Sequence, residues 1–196
     1  MAYTKSISVY CASSTLVGET YVQAAFELGK LMAAEGYRLI YGGGDQGLMG
    51  AVARGVLSTG GEAVGVIPHF MVEAGWHHRH LTELIEVEDM SARKKLMEQI
   101  SDGCIALPGS VGTFDELMEV VALKKLGLYL KPVVVLNTCD FYAPLKAMLQ
   151  KTVDEHFMHP DHLELCRFLD TPMEVIEFLR HAPQIDAQSI QEIRVI

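Results

Sequence analysis

Two hydrophobic rhythms alternate along the chain. Six short runs are rich in apolar and β-branched residues: ISVYC (7–11), YRLIY (37–41), AVGVI (63–67), LIEVE (84–88), CIALP (104–108) and PVVVLN (132–137). Longer segments between them repeat apolar residues every three or four positions: YVQAAFELGKLMAAEG (21–36), GLMGAVARGVLSTGG (47–61), SARKKLMEQISDG (91–103) and TFDELMEVVALKKLG (113–127). The first rhythm predicts strands buried on both faces, the second amphipathic helices. In the first helix Val22, Ala25, Phe26, Leu28, Gly29 and Met32 fall mainly on one face, and Gly36 is a suitable stop. FYAPLKAMLQKTVDEHF (141–157) and PMEVIEFLRH (172–181) read as two further helices, whereas APQIDAQSIQEIRVI (182–196) has weak periodicity.

Strands alternating with helices predict an α/β fold with a parallel sheet covered on both faces. The 196 residues favour one domain, taken as 1–181, followed by a C-terminal tail, 182–196. Ligands of such folds sit beyond the carboxyl ends of the strands, near the point where strand order reverses. The turns after Cys11, Tyr41, Ile67 and Leu107 therefore hold the candidate site.

Two of those turns are glycine-rich. Gly42-Gly43-Gly44-Asp45-Gln46-Gly47 fits G-x-G-x-x-G between a strand and a helix, but the next strand ends Val66-Ile67-Pro68 with no acid to hold a ribose. An NAD site is not expected there, although close approach of the backbone to some ligand is. The second turn, Pro108-Gly109-Ser110-Val111-Gly112-Thr113, leads into a helix whose first N–H groups can converge on a phosphate. Thr113 can cap that helix or bond a phosphate oxygen. Asp115 and Glu116 follow at once, and acids in a first helical turn favour the dipole, which accounts for Asp115 better than for Glu116. In Ser91-Ala92-Arg93-Lys94-Lys95 basic residues stand at the unfavourable end of a helix, which suits Arg93 if an anion lies nearby; Lys94 and Lys95 read as solvated charge.

Charge and cysteines then narrow the choice. The net charge of −9, with no dense Lys/Arg run, argues against a nucleic-acid surface. Cys11, Cys104, Cys139 and Cys166 form no C-x-x-C pair, so neither a zinc site nor a disulfide framework is indicated. Trp76-His77-His78-Arg79-His80 invites a metal, but adjacent residues rarely converge on one ion; an exposed or interface loop is expected, with Trp76 packing or stacking on a base. Glu83, Glu86, Glu88 and Asp89 read as solvated. No apolar run approaches the roughly 20 residues of a membrane span, and no signal peptide is evident, so a cytoplasmic location is expected.

Taken in order, Tyr41-Gly-Gly-Gly-Asp-Gln-Gly-Leu-Met-Gly-Ala-Val-Ala53, then Arg93-Lys94, then Pro108-Gly-Ser-Val-Gly-Thr-Phe-Asp-Glu116 resembles the Lonely guy family over roughly residues 6–180. Members are cytokinin riboside 5′-monophosphate phosphoribohydrolases, and many carry an older lysine decarboxylase label. The resemblance implies a Rossmann-like doubly wound fold, a homodimer and no metal or organic cofactor. It implies hydrolysis of a nucleoside 5′-monophosphate, AMP or N6-modified AMP, to free base and ribose 5-phosphate. Matched to the family's P-G-G-x-G-T-x-x-E, Glu116 is the catalytic carboxylate and Arg93 the catalytic arginine, with Arg93 either binding phosphate or positioning Glu116. Phosphate and substrate binding fall to Gly43, Gly44, Lys94, Gly109, Ser110, Val111, Gly112 and Thr113.

The chain departs from the family pattern at several places. Ser110 stands for the motif's second glycine, where a Cβ would strain a positive φ. Ser91-Ala92 replace His-Glu, and Gly75 stands where a substrate-binding Glu is usual, with Glu73 two residues away. Ala122 replaces a Thr. Ala12 and Asp45 replace Gly and Ser, and Asp45 brings a negative charge toward the expected phosphate. Two rival readings remain: the same fold binding a nucleotide or phosphorylated cofactor without cleaving it, and a pyridoxal-phosphate decarboxylase, for which no Schiff-base lysine stands out.

Overall fold

The computed structural model describes residues 3–182. Of the tail expected over 182–196, only Ala182 lies within the described residues. Seven strands form one all-parallel sheet: β1 Lys5–Tyr10, β2 Tyr37–Tyr41, β3 Ala63–Pro68, β4 Glu83–Val87, β5 Gly103–Ala106, β6 Val133–Leu136 and β7 Arg167–Leu169. Their spatial order is β4-β3-β2-β1-β5-β6-β7. The helices are α1 Glu19–Ala34, α2 Gly47–Ser58, α3 His69–Glu73, α4 Met90–Ile100, α5 Val111–Lys125, α6 Ala143–Asp154 and α7 Pro172–His181. All six expected strands and all six expected helices form.

The differences lie at edges and ends. β7 and α3 were not expected, because three and five residues leave too short a pattern to read. β4 and β7 are the sheet edges, and their partly exposed pattern explains the charges in LIEVE. α1 ends at Ala34, with Gly36 beyond it at φ +71°, a left-handed stop that only glycine takes easily. Asp89 is not simply solvated: its side chain caps α4 by accepting from the Ala92 N–H at 2.8 Å. Glu83 and Glu86 are likewise engaged, by Arg38 and His69.

Alternate strand residues feed two cores. Ile7, Val9, Leu39, Tyr41, Ile105 and Leu107 pack under α1, α2 and α7. Tyr10, Ile40, Val64, Val66, Cys104 and Ala106 pack with Met97 of α4 and Leu117 and Val120 of α5. Burial on both faces is why the central strands read as continuous apolar runs. Cys11 and Cys104 are buried thiols as expected. Ser8, a polar residue inside the second core, shares a 2.6 Å hydrogen bond with Ser101 and donates to the Met97 carbonyl.

α1 and α2 approach closely because glycines meet at their crossing. A Cβ on Gly55 would collide with the Phe26 carbonyl, and one on Gly29 with the Val52 carbonyl and the Val56 nitrogen. This contact carries α2, and α2 follows directly from the first glycine turn. Gly55→Val should therefore destabilise the protein by about 2 kcal/mol or more through overpacking against rigid backbone, read as a lowered midpoint in urea unfolding. An unchanged midpoint would contradict this packing.

Candidate active site

Strand order reverses around β1: the chain runs outward through β2, β3 and β4, then returns to β5 on the other side. The carboxyl ends of β1 and β5 are joined by the Leu107 N–H donating to Tyr10 and the Ala12 N–H donating to Pro108. The Ala12 carbonyl in turn accepts from Leu48 and Met49 at the start of α2. Gly47 makes that docking possible, since a Cβ there would meet the Ser14 and Ala12 carbonyls. The crevice expected for this fold thus lies over the loops after β1, β2, β3 and β5.

Arg93 and Glu116 face each other in this crevice. Arg93 lies in the second turn of α4 and is 4% exposed; Glu116, on α5, is 6% exposed. An Arg93 Nη lies 3.3 Å from Glu116 Oε1. The other Nη lies against the sulfurs of Met71 and Met90, and the buried Nε has no hydrogen-bond partner. The guanidinium rests over Gly42, where any Cβ would strike it. The anion expected near Arg93 is therefore Glu116 itself. Burial pushes the Glu116 carboxyl up to about 7; Arg93 pulls it down and Asp115 adds to the rise.

The second glycine turn becomes the N-terminus of α5. The helix starts at Val111, two residues earlier than the sequence suggested, so Asp115 and Glu116 fall in its second turn. Neither acid caps the helix. Asp115 points away from the crevice to Lys94, which it holds at 2.9 Å, and Glu119 holds the same lysine at 2.8 Å. Lys94 thus ties α4 to α5 and, like Gly43, is not among the residues lining the cleft described below. Ser110 is the N-cap residue, with φ −113°, so this position needs no glycine and its Cβ is unstrained. Gly109 does need to be glycine: a Cβ would collide with the buried Thr113 side chain. Ser110, Val111 and Gly112 are exposed, and nothing stands near Gly112. The N–H groups of Val111, Gly112 and Thr113 have no carbonyl four residues back within the helix and remain free for an anion.

A cleft of about 570 Å³ opens beside Arg93. Gly42 and Gly44, Met49, Ile67, Met71, Trp76 and His77 contribute to its walls, with the exposed Arg79 and His80 at the mouth. Gly43, at φ +76°, turns away and packs on Gly65 and Ile67. The Trp76–His80 loop folds over this turn rather than projecting freely. The His78 N–H donates to the Gly43 carbonyl at 2.8 Å, and His77 bridges Gly44. His78 is buried and its Nε2 lies 3.3 Å from Asp45, which Arg54 also holds. The charge of Asp45 is therefore compensated within the fold. Among the described residues no three His, Cys, Asp or Glu side chains are grouped to hold a metal ion. Sequence reasoning missed Met71, Met90 and the His78–Asp45–Arg54 chain; the density of histidines was the one visible signal.

Residues 49–179 match a family model described as possible lysine decarboxylase. A probable cytokinin riboside 5′-monophosphate phosphoribohydrolase of Oryza sativa subsp. japonica is 40% identical over 181 residues, covering 92% of this chain and 74% of its own. The cytokinin riboside 5′-monophosphate phosphoribohydrolase of Rhodococcoides fascians is 43% identical over 157 residues, covering 80% and 79%. In fold, the chain is similar to the molybdenum cofactor binding protein of Rippkaea orientalis, with TM-score 0.70, 22% identity, and coverage of 92% of this chain and 98% of that one. The molybdenum cofactor carrier protein of Chlamydomonas reinhardtii gives TM-score 0.69 at 21% identity, covering 90% and 96%. The fold class is thus the Rossmann-like one that the motifs implied, and the chain belongs to the Lonely guy family, whose family model keeps the older description possible lysine decarboxylase.

Proposed function

We propose that this protein hydrolyses the N-glycosidic bond of a nucleoside 5′-monophosphate, AMP or an N6-modified AMP, to free base and ribose 5-phosphate. The observation that carries the reading is the buried Arg93–Glu116 pair, set between a helix N-terminus with free N–H groups and a cleft large enough for a nucleoside. The names of the relatives support the same reaction.

In this reading the N–H groups of Val111, Gly112 and Thr113 hold the phosphate. The base enters the cleft between Met49, Ile67, Met71 and Trp76. C1′ then lies at Glu116. As the bond to the base breaks, positive charge develops on the sugar, and the Glu116 carboxylate stabilises it. The same carboxylate orients the attacking water and takes its proton as the hydroxyl bonds to C1′; the departing base takes a proton from solvent, and Glu116 releases its proton to solvent to restore the carboxylate. A carboxyl poised at about 7 suits that exchange at neutral pH. Arg93 acts as the positioning group, because its guanidinium already contacts the carboxylate. The reading keeps a homodimer acting in the cytoplasm without metal or organic cofactor; no helix among the described residues is long and apolar enough to cross a membrane. Pyridoxal-phosphate chemistry does not fit: among the described residues no lysine lines the cleft, and Lys94 is held by two acids.

Glu116→Gln should lower kcat for base release from AMP or isopentenyladenosine monophosphate by about a hundredfold or more, with nucleotide binding within about threefold. Binding without release from the unaltered protein would instead establish a nucleotide-binding module. The pH dependence follows from Glu116. Its working form is the carboxylate, so kcat/KM should rise with pH and level off above about 7. Arg93→Ala removes the main group lowering that pKa, so the rise should move to higher pH as kcat falls. A profile that falls from pH 6 to pH 8, or one that Arg93→Ala leaves in place, would count against the assignment.

A further inference from the structure

His77 to His80 have no part in the proposed reaction, yet His77, Arg79 and His80 line the cleft, and His78, just behind them, makes several defined contacts. The His78 ring is central to them. Its Nδ1 lies 3.1 Å from the His80 backbone nitrogen, which can only donate. Nδ1 is therefore the unprotonated nitrogen, and Nε2 carries the hydrogen that faces Asp45 Oδ1 at 3.3 Å. The same Asp45 oxygen accepts from Arg54 of α2, and the His78 N–H donates to Gly43. Residue 78 thus ties its loop to the glycine turn twice, through its backbone N–H to Gly43 and its ring to Asp45, and the ring also accepts from His80 within the loop. The groups facing the ring are Asp45, Arg54 and His80. Burial holds the ring below the usual histidine value, with Arg54 and His80 adding to that effect and Asp45 opposing it.

We propose that His78 is a positioning residue: as a neutral ring accepting from the His80 N–H and donating to Asp45, it sets the Trp76–His80 loop over the glycine turn and so shapes the base side of the cleft, and protonation at Nδ1 releases the His80 arm. Protonation strengthens the contact with Asp45 but turns Nδ1 into a second donor facing the His80 N–H, so that bond is lost. Arg79 and His80, both at the cleft mouth, move with it. Nucleotide affinity then falls in mild acid, at a lower pH than the protonation of Glu116 at about 7. The role in substrate affinity rests on the proposed hydrolase reading; the loop movement does not.

Trp76 is the chain's one tryptophan and lies two residues from His78, so its emission reports on the loop without any turnover. Emission of the full-length protein is followed from pH 8 to pH 5, with circular dichroism confirming that the fold persists. The expected result is a transition with a midpoint below the ordinary histidine value of about 6.5, and so below any change from Glu116 at about 7. It should vanish in His78→Asn, which keeps an uncharged acceptor near Nδ1, and remain in His77→Gln and His80→Gln. With AMP at pH 7.5, His78→Ala should raise KM about tenfold, from the lost hydrogen bonds, with kcat within about twofold. His78→Asn should hold KM within about threefold of the unaltered protein. Should AMP be bound but not cleaved, its dissociation constant replaces KM. A transition that persists in His78→Asn, one abolished by His77→Gln or His80→Gln, or an affinity unmoved by His78→Ala would overturn the proposal.

Discussion

A carboxylate and a guanidinium buried side by side are the constraint to which the rest of the site answers. Taking two charges out of water is costly unless geometry and neighbours compensate. Arg93 and Glu116 come from different helices, so α4 and α5 must be held in register. Lys94 does this on the outer side, clamped by Asp115 and Glu119. Gly42 gives the guanidinium a flat seat, and the sulfurs of Met71 and Met90 close over its other side. The compensation is incomplete. Nε remains without a partner, and burial still outweighs Arg93 in setting the Glu116 pKa. Those two residual imbalances leave a carboxyl able to change protonation near neutral pH and an arginine with donor capacity to spare.

The two glycine turns serve this pair differently, although both look like phosphate loops in sequence. At Gly42 the missing side chain makes room for Arg93, at Gly43 the backbone turns against β3, and at Gly47 it lets α2 dock on the end of β1. That first turn is a matter of close approach within the protein. The second turn faces outward. Gly109 makes room for Thr113, and beyond it the first N–H groups of α5 remain free. In the proposed reading the anion sits at the second turn, and Glu116 stands one turn deeper, where the reaction would occur. Phosphate and carboxylate would then not compete, because the helix separates them along its axis.

Much of this was legible because strands buried on both faces leave a strong signal, and motif order carried the rest. β1 to β6 and the long helices follow from apolar runs that two cores require. Arg93 stood out because positive charge at a helix start needs an explanation. Other features depend on contacts distant in sequence. Ser110 reads as an awkward replacement for glycine until its backbone proves to be extended. Asp45 reads as repulsive until Arg54 and His78 are seen to hold it. Lys94 reads as a phosphate ligand or a solvated charge, but its partners lie 21 and 25 positions away on α5. The tyrosine and thiol beneath Glu116, Tyr10 and Cys11, both have their pKa values raised by burial first, and only the fold shows that they share its environment.

The proposed reaction needs phosphate at the start of α5, the scissile carbon at Glu116 and the base in the cleft. A crystal structure of Glu116→Gln with an uncleaved nucleoside monophosphate tests it most directly. The phosphate should accept from the backbone of residues 111–113, and C1′ should lie within about 3.5 Å of the residue 116 side chain. A phosphate held instead at Arg79 in the cleft mouth, with C1′ remote from residue 116, would contradict it.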